Sequence, residues 1–279
     1  MPPASVLDAP ELAAERIDAR AAGENFPVAS LLAPRFARPH LRAVYGFARL
    51  VDNLGDEAAG DRGALLDQLE RELEGSPRTD VMRRLHATIA DRRLPLDPFR
   101  RLIEANRRDQ VRRRYETWED LREYCTYSAD PVGRLVLGIY GRADDAGLVA
   151  MSDAVCTGLQ LVNFVQDPPR DLALGRVYLP QEDLRRFGVA DEELAGPLTP
   201  AIAELLRFES ERAGALLERG LPLRRALGGR PGLAVGLYAR GGLAAVAALE
   251  RAGWDVFTGR PAPGRWTFAR LALRELLRR

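Results

Sequence analysis

The sequence contains no lysine, only two cysteines and no long hydrophobic run. All 41 basic residues are arginines, and 40 acidic residues offset them. That balance lacks the positive excess that nucleic-acid binding requires, so no nucleic-acid partner is expected. Cys125 and Cys156 lie far apart and form no CxxC pair, which argues against a zinc or disulfide framework and predicts buried free thiols.

Long apolar runs are also missing. The stretch LAVGLYARGGLAAVAAL at 233–249 is interrupted by Arg240 and by several glycines, so it predicts no membrane-spanning helix. The N-terminus carries acidic and basic residues from the start and is typical of neither a signal peptide nor a transit peptide. We therefore expect a cytoplasmic protein, because a reducing compartment is the default for a chain with these features.

Helical periodicity dominates what the chain does contain. Several segments carry apolar residues at intervals of three and four, with Gly or Pro between them. The best strand candidate, RVYLP at 176–180, is short. We predict one all-α domain over residues 1–279, with roughly ten or more helices and a loose tail at 1–12. The predicted helices are 41–54, 63–75, 80–93, 97–114, 119–129, 144–166, 199–220, 232–253 and 266–279, with caps at Asp80, at Asp97 before Pro98 and at Thr199 before Pro200.

A first acidic face lies in the stretch ARLVDNLGDEA. Asp52 and Asp56 are four residues apart, so a helix projects both carboxylates from one side. Tyr45 and Phe47 precede them and indicate that this side faces inward. Two inward carboxylates without fixed positive partners repel each other and are costly to desolvate, and a bound Mg²⁺ would relieve both penalties. A solvated acidic helix face is the alternative for this pair taken alone.

A second acidic face lies in VNFVQDPPRD. Asn163, Asp167 and Asp171 recur at intervals of four, with Gln160 just before them, but Pro168–Pro169 interrupts the pattern. Two interpretations stay open. In one, the helix is kinked beneath Asp167 and the polar face binds metal. In the other, Asp167 caps a new helix that begins at the prolines, and its carboxylate accepts a backbone N–H.

Taken together, these stretches resemble a known family. Residues 24–58 and 158–180 look like the two signature regions of the trans-isoprenyl diphosphate synthases of the squalene/phytoene synthase family. Between them, the Ser-Ala-Asp-Pro-Val-Gly-Arg-Leu-Val-Leu run at 128–137 is similar to the bacterial hydroxysqualene synthase branch, as is ENFPVAS at 24–30. The resemblance runs from about Ala13 to the C-terminus, and it implies an isoprenoid-synthase helical bundle around a central cavity.

The resemblance also implies roles for particular residues. Mg²⁺ would be held by two opposed walls, and the substrate diphosphate would lie between them. Asn163 and Asp167 are stronger candidates for metal ligands than Asp171, because the two prolines lie between Asp171 and the predicted helix. The implied metal ligands, which are also the catalytic residues apart from Asn163, are Asp52, Asp56, Asn163, Asp167 and Asp171; the implied substrate contacts are Tyr45, Arg49, Gln160, Asn163, Tyr238 and Arg260.

The sequence departs from the family pattern at three places. Asn53 stands where a second Asp is usual, and Asp130 where Asn is usual, which would alter the polarity of the cavity. Pro168–Pro169 replaces residues that continue a helix. Of the three departures, the proline pair bears most directly on the predicted metal face.

The implied reaction begins with presqualene diphosphate. Diphosphate leaves with the help of Mg²⁺, the cation rearranges, and water gives hydroxysqualene, a step of hopanoid biosynthesis that needs no hydride. Aromatic walls would shield the cation, and about half of the candidate residues are expected to contact substrate. The candidates are Phe26, Tyr45, Phe47, Tyr124, Tyr127 and Phe164.

Two other functions remain open. A synthase that condenses two farnesyl or geranylgeranyl diphosphates, forming presqualene diphosphate, squalene or phytoene, would share both acidic faces. A scaffold that kept the fold and lost the metal is a different class. The basic run at 107–114 is either a solvated face or a surface for anionic lipid at the inner side of the membrane. The sequence predicts no particular oligomeric state.

Overall fold

The computed structural model describes residues 32–264 together with 267, 270, 271 and 273. These residues contain twelve α-helices, one π-helical turn and one 3-10 turn, and no β-strand, so the all-α prediction is confirmed. The best strand candidate, 176–180, makes only an isolated bridge, between Val177 and Arg114. The tail at 1–12, ENFPVAS with Phe26, and most of the predicted helix 266–279 lie outside the described residues. The α-helices are α1 Arg38–Asp52, α2 Arg62–Glu74, α3 Asp80–Arg92, α4 Asp97–Val111, α5 Trp118–Ser128, α6 Asp130–Ile139, α7 Ala146–Gln166, α8 Pro168–Ala173, α9 Gln181–Phe187, α10 Pro200–Gly220, α11 Leu223–Leu227 and α12 Gly229–Arg251; the π turn is Asn53–Glu57 and the 3-10 turn Asp191–Ala195.

Helix capping follows the sequence only in part. Thr199 caps α10 as predicted, accepting the N–H of Ile202 at 3.2 Å. The predicted caps Asp80 and Asp97 are wrong, because each is the first residue of its helix. Their carboxylates accept from arginines one turn along, Arg83 and Arg101 respectively, at 3.1 and 2.8 Å. An acidic residue in the first turn still suits the helix dipole.

Helix α7 lies at the centre of the bundle and packs against α6, α10 and α12. One apolar cluster surrounds it, and a second joins α1 to α4 on the other side of the molecule. By length and composition α7 and α12 could each cross a membrane, and 56% of each apolar window is buried inside the protein. Their apolar character therefore has an explanation in packing.

Close approach of α7 and α10 depends on glycine. A Cβ on Gly220 would lie 2.2 Å from Cγ2 of Val155 and 3.0 Å from the carbonyl of Met151, whereas a Cβ on Gly214 meets nothing within 4 Å. We expect Gly220→Ala to lower the free energy of unfolding by about 1–3 kcal/mol through overpacking. Gly214→Ala, in the same helix, should raise it by up to about 1 kcal/mol. Urea denaturation of both variants measures this, and equal effects would contradict the packing argument.

A buried charge cluster joins α9 to α10. Arg212 donates to both carboxylate oxygens of Glu209, at 2.7 and 2.8 Å, and to Asp183 at 2.9 Å. One cation therefore serves two buried carboxylates. Burial is the main cause that raises the pKa of Glu209 to about 8, from an ordinary value of 4.5.

This cluster predicts a pH dependence of stability. The folded state holds the Glu209 proton more tightly than the unfolded chain, so the contribution of Glu209 to stability is full below about pH 4.5 and is lost as the pH rises to about 8. Glu209→Gln should remove that slope between pH 5 and pH 8, as measured by urea denaturation. Glu211→Gln, on the exposed side of α10, serves as the control and should leave the slope unchanged. An unchanged slope in Glu209→Gln would refute the assignment.

The basic run at 107–114 is largely neutralised. Four of its five arginines form salt bridges with acidic side chains, which leaves little free charge to attract anionic lipid. The pairs are Arg107 with Asp67 and Glu70, Arg108 with Glu104 and Glu123, Arg112 with Asp120, and Arg114 with Asp191.

Candidate active site

A cavity of about 790 Å³ opens between the two predicted acidic faces. Asp52 and Asp167, which are far apart in sequence, share this one compartment. All five residues predicted as metal ligands line it, and so do three of the five predicted substrate contacts other than Asn163. The lining includes Asp52, Asp56, Asn163, Asp167 and Asp171 together with Arg49, Gln160 and Arg260.

The sequence predicted a regular α-helix for the first wall, and the structure differs from that prediction. Helix α1 ends at Asp52, and the wider π turn carries Asp56. In that turn the N–H of Ala58 donates to the carbonyl of Asn53 at 2.9 Å, five residues back. Both carboxylates still reach the cavity, because they remain one turn apart. Turns of this kind are frequent at functional sites.

Contacts with α4 explain the wider turn. A Cβ on Gly55 would lie 2.0 Å from Oδ1 of Asn106, so only glycine lets the turn approach α4 this closely. Gln110 donates to the carbonyl of Gly55 at 3.0 Å, which satisfies an acceptor of the turn. Asn106 in turn donates to Asp52 at 3.5 Å, a long hydrogen bond.

Asp56 has a fixed positive partner, contrary to the prediction from sequence. Arg176 is 7% exposed and donates to Oδ1 of Asp56 at 2.7 Å. The segment that follows α8 brings this arginine across the cavity. The protein itself therefore compensates the Asp56 carboxylate of the first wall.

The second wall is interrupted at one residue. Helix α7 ends at Gln166 and α8 begins at Pro168, with Asp167 between them at φ −116°. The chain keeps hydrogen bonds on both sides of the break, because Asp167 N–H donates to Asn163 and Asp171 N–H donates to the carbonyl of Asp167, at 3.0 and 2.9 Å. The prolines lack the N–H groups that would continue α7. A new helix thus begins at the prolines, and the predicted kink is instead a break.

The carboxylate of Asp167 does not cap α8. Arg260 donates to its two oxygens at 2.6 and 2.9 Å and reaches Oδ1 of Asn163 at 3.3 Å. Arg260, which was predicted to contact the diphosphate, therefore donates hydrogen bonds to two predicted metal ligands, Asp167 and Asn163. Asp171 lies beyond the break and still lines the cavity. Burial, followed by the charge of Asp167, raises the pKa of Asp171 to about 7.

Three other predicted positions lie away from the main cavity. Tyr45 packs against the apolar cluster of α1 to α4. Tyr238 lines a smaller neighbouring pocket of about 240 Å³, which shares Asn163 and Arg260 with the main one. Asp130 is fully buried, where it accepts from Thr157 at 2.8 Å and Arg122 at 2.9 Å. The prediction that Asp130 alters cavity polarity is wrong, because internal partners enclose its carboxylate.

The predicted aromatic wall is confirmed only in part. Tyr124 and Phe164 line the cavity, and Tyr178 joins them with its ring stacked on Phe164 at 4.1 Å. Phe47 instead packs edge-on against Phe99 in the core, and Tyr127 lies under the guanidinium of Arg108. The inward face of a helix includes both core and cavity positions, and spacing alone does not separate them.

Asp109 is a cavity residue that the sequence analysis missed. It lies on α4, is 7% exposed, and accepts from the hydroxyl of Tyr124 at 2.6 Å through Oδ2. Burial raises its pKa to about 6. A signal was present, because Asn106 and Asp109 fall on the buried side of α4 with Leu102. The surrounding arginines make this stretch typical of an exposed basic surface.

The donor chemistry fits Mg²⁺. Among the described residues no three His, Cys, Asp or Glu side chains are gathered into a ready metal cluster. Magnesium usually takes only one or two carboxylates, with phosphate and water completing its shell. Hard oxygen donors on two facing walls suit ions that arrive with a diphosphate, and the protein's own arginines compensate two of those donors without an ion.

An all-α bundle with such walls around one cavity is the architecture of an isoprenoid synthase. Its fold superimposes on a dehydrosqualene synthase with a TM-score of 0.85 at 24% identity, covering 95% of each chain. The sequence model for squalene/phytoene synthase matches residues 19–267. The chain therefore belongs to the squalene/phytoene synthase family, whose members are enzymes that act on prenyl diphosphates.

Individual relatives carry several names within that family. A hydroxysqualene synthase of Sinorhizobium fredii is 39% identical over 211 residues, 74% of this chain and 72% of that protein. A 15-cis-phytoene synthase of Synechocystis is 35% identical over 230 residues, 76% of this chain and 68% of that protein. The crystal structure of squalene synthase HpnC from Alicyclobacillus acidocaldarius matches with a TM-score of 0.78 at 48% identity, covering 87% of this chain and 93% of that one.

Proposed function

We propose that this enzyme is a hydroxysqualene synthase, which converts presqualene diphosphate and water into hydroxysqualene and diphosphate for hopanoid biosynthesis. The observation that carries the proposal is the pair of oxygen-rich walls facing each other across one cavity. Relatives named hydroxysqualene synthase, at 37–39% identity, support this member of the family.

Release of diphosphate is the first step that the residues must serve. Asp52, Asp56, Asn163, Asp167 and Asp171 would hold Mg²⁺, which when bound supplies Lewis-acid stabilisation of the leaving group. Arg49 and Arg260 line the same cavity and offer preorganised donors to the diphosphate oxygens. Arg260 would exchange Asp167 for the diphosphate, since one guanidinium fork holds one bidentate partner at a time.

Protection of the resulting cation is the second requirement. The rings of Tyr124, Phe164 and Tyr178 pack together beside the acidic walls, with centroids 4.1–6.5 Å apart. Each ring face offers a cation about 0.5–2 kcal/mol and excludes water from that side. Tyr238 and the smaller apolar pocket beside Arg260 would accommodate part of the hydrocarbon chain.

Condensation of two prenyl diphosphates is the second candidate, because a phytoene synthase is among the relatives at 35% identity. The scaffold hypothesis finds less support, since all five predicted oxygen donors still line one cavity. For location we propose the cytoplasm. The salt bridges along 107–114 favour a solvated helix over a lipid-binding surface there.

A product assay tests the proposed reaction. The purified protein is incubated with Mg²⁺ and either presqualene diphosphate or farnesyl diphosphate, and products are identified by mass spectrometry. We expect hydroxysqualene from presqualene diphosphate, and none when EDTA removes the metal. Turnover of farnesyl diphosphate alone would overturn the assignment in favour of a condensing synthase. Binding of neither substrate would favour the scaffold.

A further inference from the structure

One carboxylate oxygen in the cavity wall makes no hydrogen bond of ordinary geometry. Oδ2 of Asp109 accepts from Tyr124 and the Tyr178 hydroxyl approaches the same carboxylate, but Oδ1 is buried without a well-formed hydrogen bond. A buried carboxylate oxygen left unpaired is costly, and such atoms in native proteins are usually satisfied by water or ligand. Arg176, whose charge acts on Asp109, donates its hydrogen bond to Asp56. Because Asp109 lines the cavity, a donor for Oδ1 would come from the cavity.

The substrate of the proposed reaction cannot supply a hydrogen-bond donor to Oδ1. Its hydrocarbon chain has no polar hydrogen, and the ionised diphosphate offers only acceptors. In the loaded cavity, a water molecule is therefore the donor that suits Oδ1. The reaction proposed above consumes one water molecule, after a stage at which other water must be kept out.

From this geometry we infer that Asp109 retains the water that becomes the hydroxyl group of the product. The inference rests on the proposed function. The water donates one hydrogen to Oδ1, which leaves an oxygen lone pair facing the cation. That lone pair forms the new C–O bond, the O–H electron pair stays on oxygen, and the proton passes to the Asp109 carboxylate. The carboxyl then returns the proton to solvent or to the departing diphosphate.

Asp109→Asn tests this role with little change of shape. The amide oxygen can still accept from Tyr124, but an NH₂ group then occupies the place of Oδ1. A water there would accept a hydrogen bond and turn its lone pair away from the cation. We expect diphosphate release from presqualene diphosphate to stay within about tenfold of the unaltered enzyme. The hydroxylated share of the product should fall about tenfold, in favour of hydrocarbon formed by proton loss from the cation.

Tyr115→Phe is the matched control. The Tyr115 hydroxyl is also buried without a partner, and its ring packs 5.1 Å from that of Tyr124, but it does not line the cavity. This variant should keep the original product ratio. Asp109→Ala, which removes both oxygens, should repeat the loss of alcohol. Thermal melting of each variant verifies folding, and Asp109→Asn should melt no lower because it removes a desolvated charge.

The possible results separate the two proposals. An unchanged hydroxylated share in Asp109→Asn would overturn the role of Asp109 while leaving the proposed function intact. Loss of diphosphate release in a folded Asp109→Asn protein would also overturn it, since Asp109 would then act before the cation forms. If the unaltered enzyme forms no alcohol at all, the proposed function fails and this inference fails with it.

Discussion

Asp52→Asn is expected to lower kcat/KM for the prenyl diphosphate substrate by about 10²–10³-fold. Asp52 lies at the end of α1, lines the cavity and faces the second wall, which carries Asp167. Removing its charge should weaken binding of the proposed Mg²⁺, which would take up negative charge from the leaving diphosphate. Steady-state kinetics with diphosphate detection measures the loss, and a Mg²⁺ titration should show a higher half-saturating concentration.

Asp144→Asn is the control for that experiment. Asp144 lies in the exposed connection between α6 and α7 and carries the same chemical change away from the cavity. It should leave kcat/KM within about twofold, as is usual for surface substitutions. Comparable kinetics in the Asp52 and Asp144 variants would show that the first acidic wall takes no part in the reaction.

Arg176→Met is expected to lower the free energy of unfolding by about 3–5 kcal/mol. The guanidinium is buried, pairs with Asp56 at 2.7 Å and lies beside Asp109. Removing it leaves the partly exposed Asp56 and the buried Asp109 without their compensating cation. Urea denaturation measures the loss, and added Mg²⁺ should stabilise this variant more than the unaltered protein, because the ion replaces part of the missing charge.

Two further variants isolate the cause. Arg113→Met makes the same change at an exposed arginine and should alter stability by less than about 0.5 kcal/mol. Asp56→Asn combined with Arg176→Met should restore part of the loss, since the double change removes both partners of the pair. A double variant as unstable as the sum of the two single variants would contradict the ion-pair explanation.

Much of the fold was predictable from local pattern. The predicted segment 199–220 corresponds to α10 at Pro200–Gly220, and 144–166 corresponds to α7 at Ala146–Gln166. Apolar spacing and a capping threonine are local signals, so they survive without knowledge of neighbours. Short helices such as α8 and α11 were absent from the prediction, because five or six residues are too few to show a period.

The sequence predicted which acidic residues line the site, but not which arginines pair with them. Both acidic faces line the cavity, in which Asp52 and Asn163 remain exposed to solvent. The partners Arg176 and Arg260 come from segments about 90 to 120 residues away, and only the folded chain brings them there. The π turn likewise depends on the contact between Gly55 and Asn106 across two helices. Asp109 was not predicted for the same reason, because its place in the cavity depends on contacts between distant segments.

With Asp167 as the proposed metal ligand, its pairing with Arg260 should make the binding of metal and of polyanion interdependent. An Mg²⁺ ion that arrives alone must displace a guanidinium from the carboxylate it seeks, so its affinity should be low. A diphosphate draws the same arginine away and frees that ligand, so each should strengthen the other by an equal factor. Calorimetric titrations with Mg²⁺, with and without inorganic diphosphate, would reveal this cooperativity as a gain in affinity.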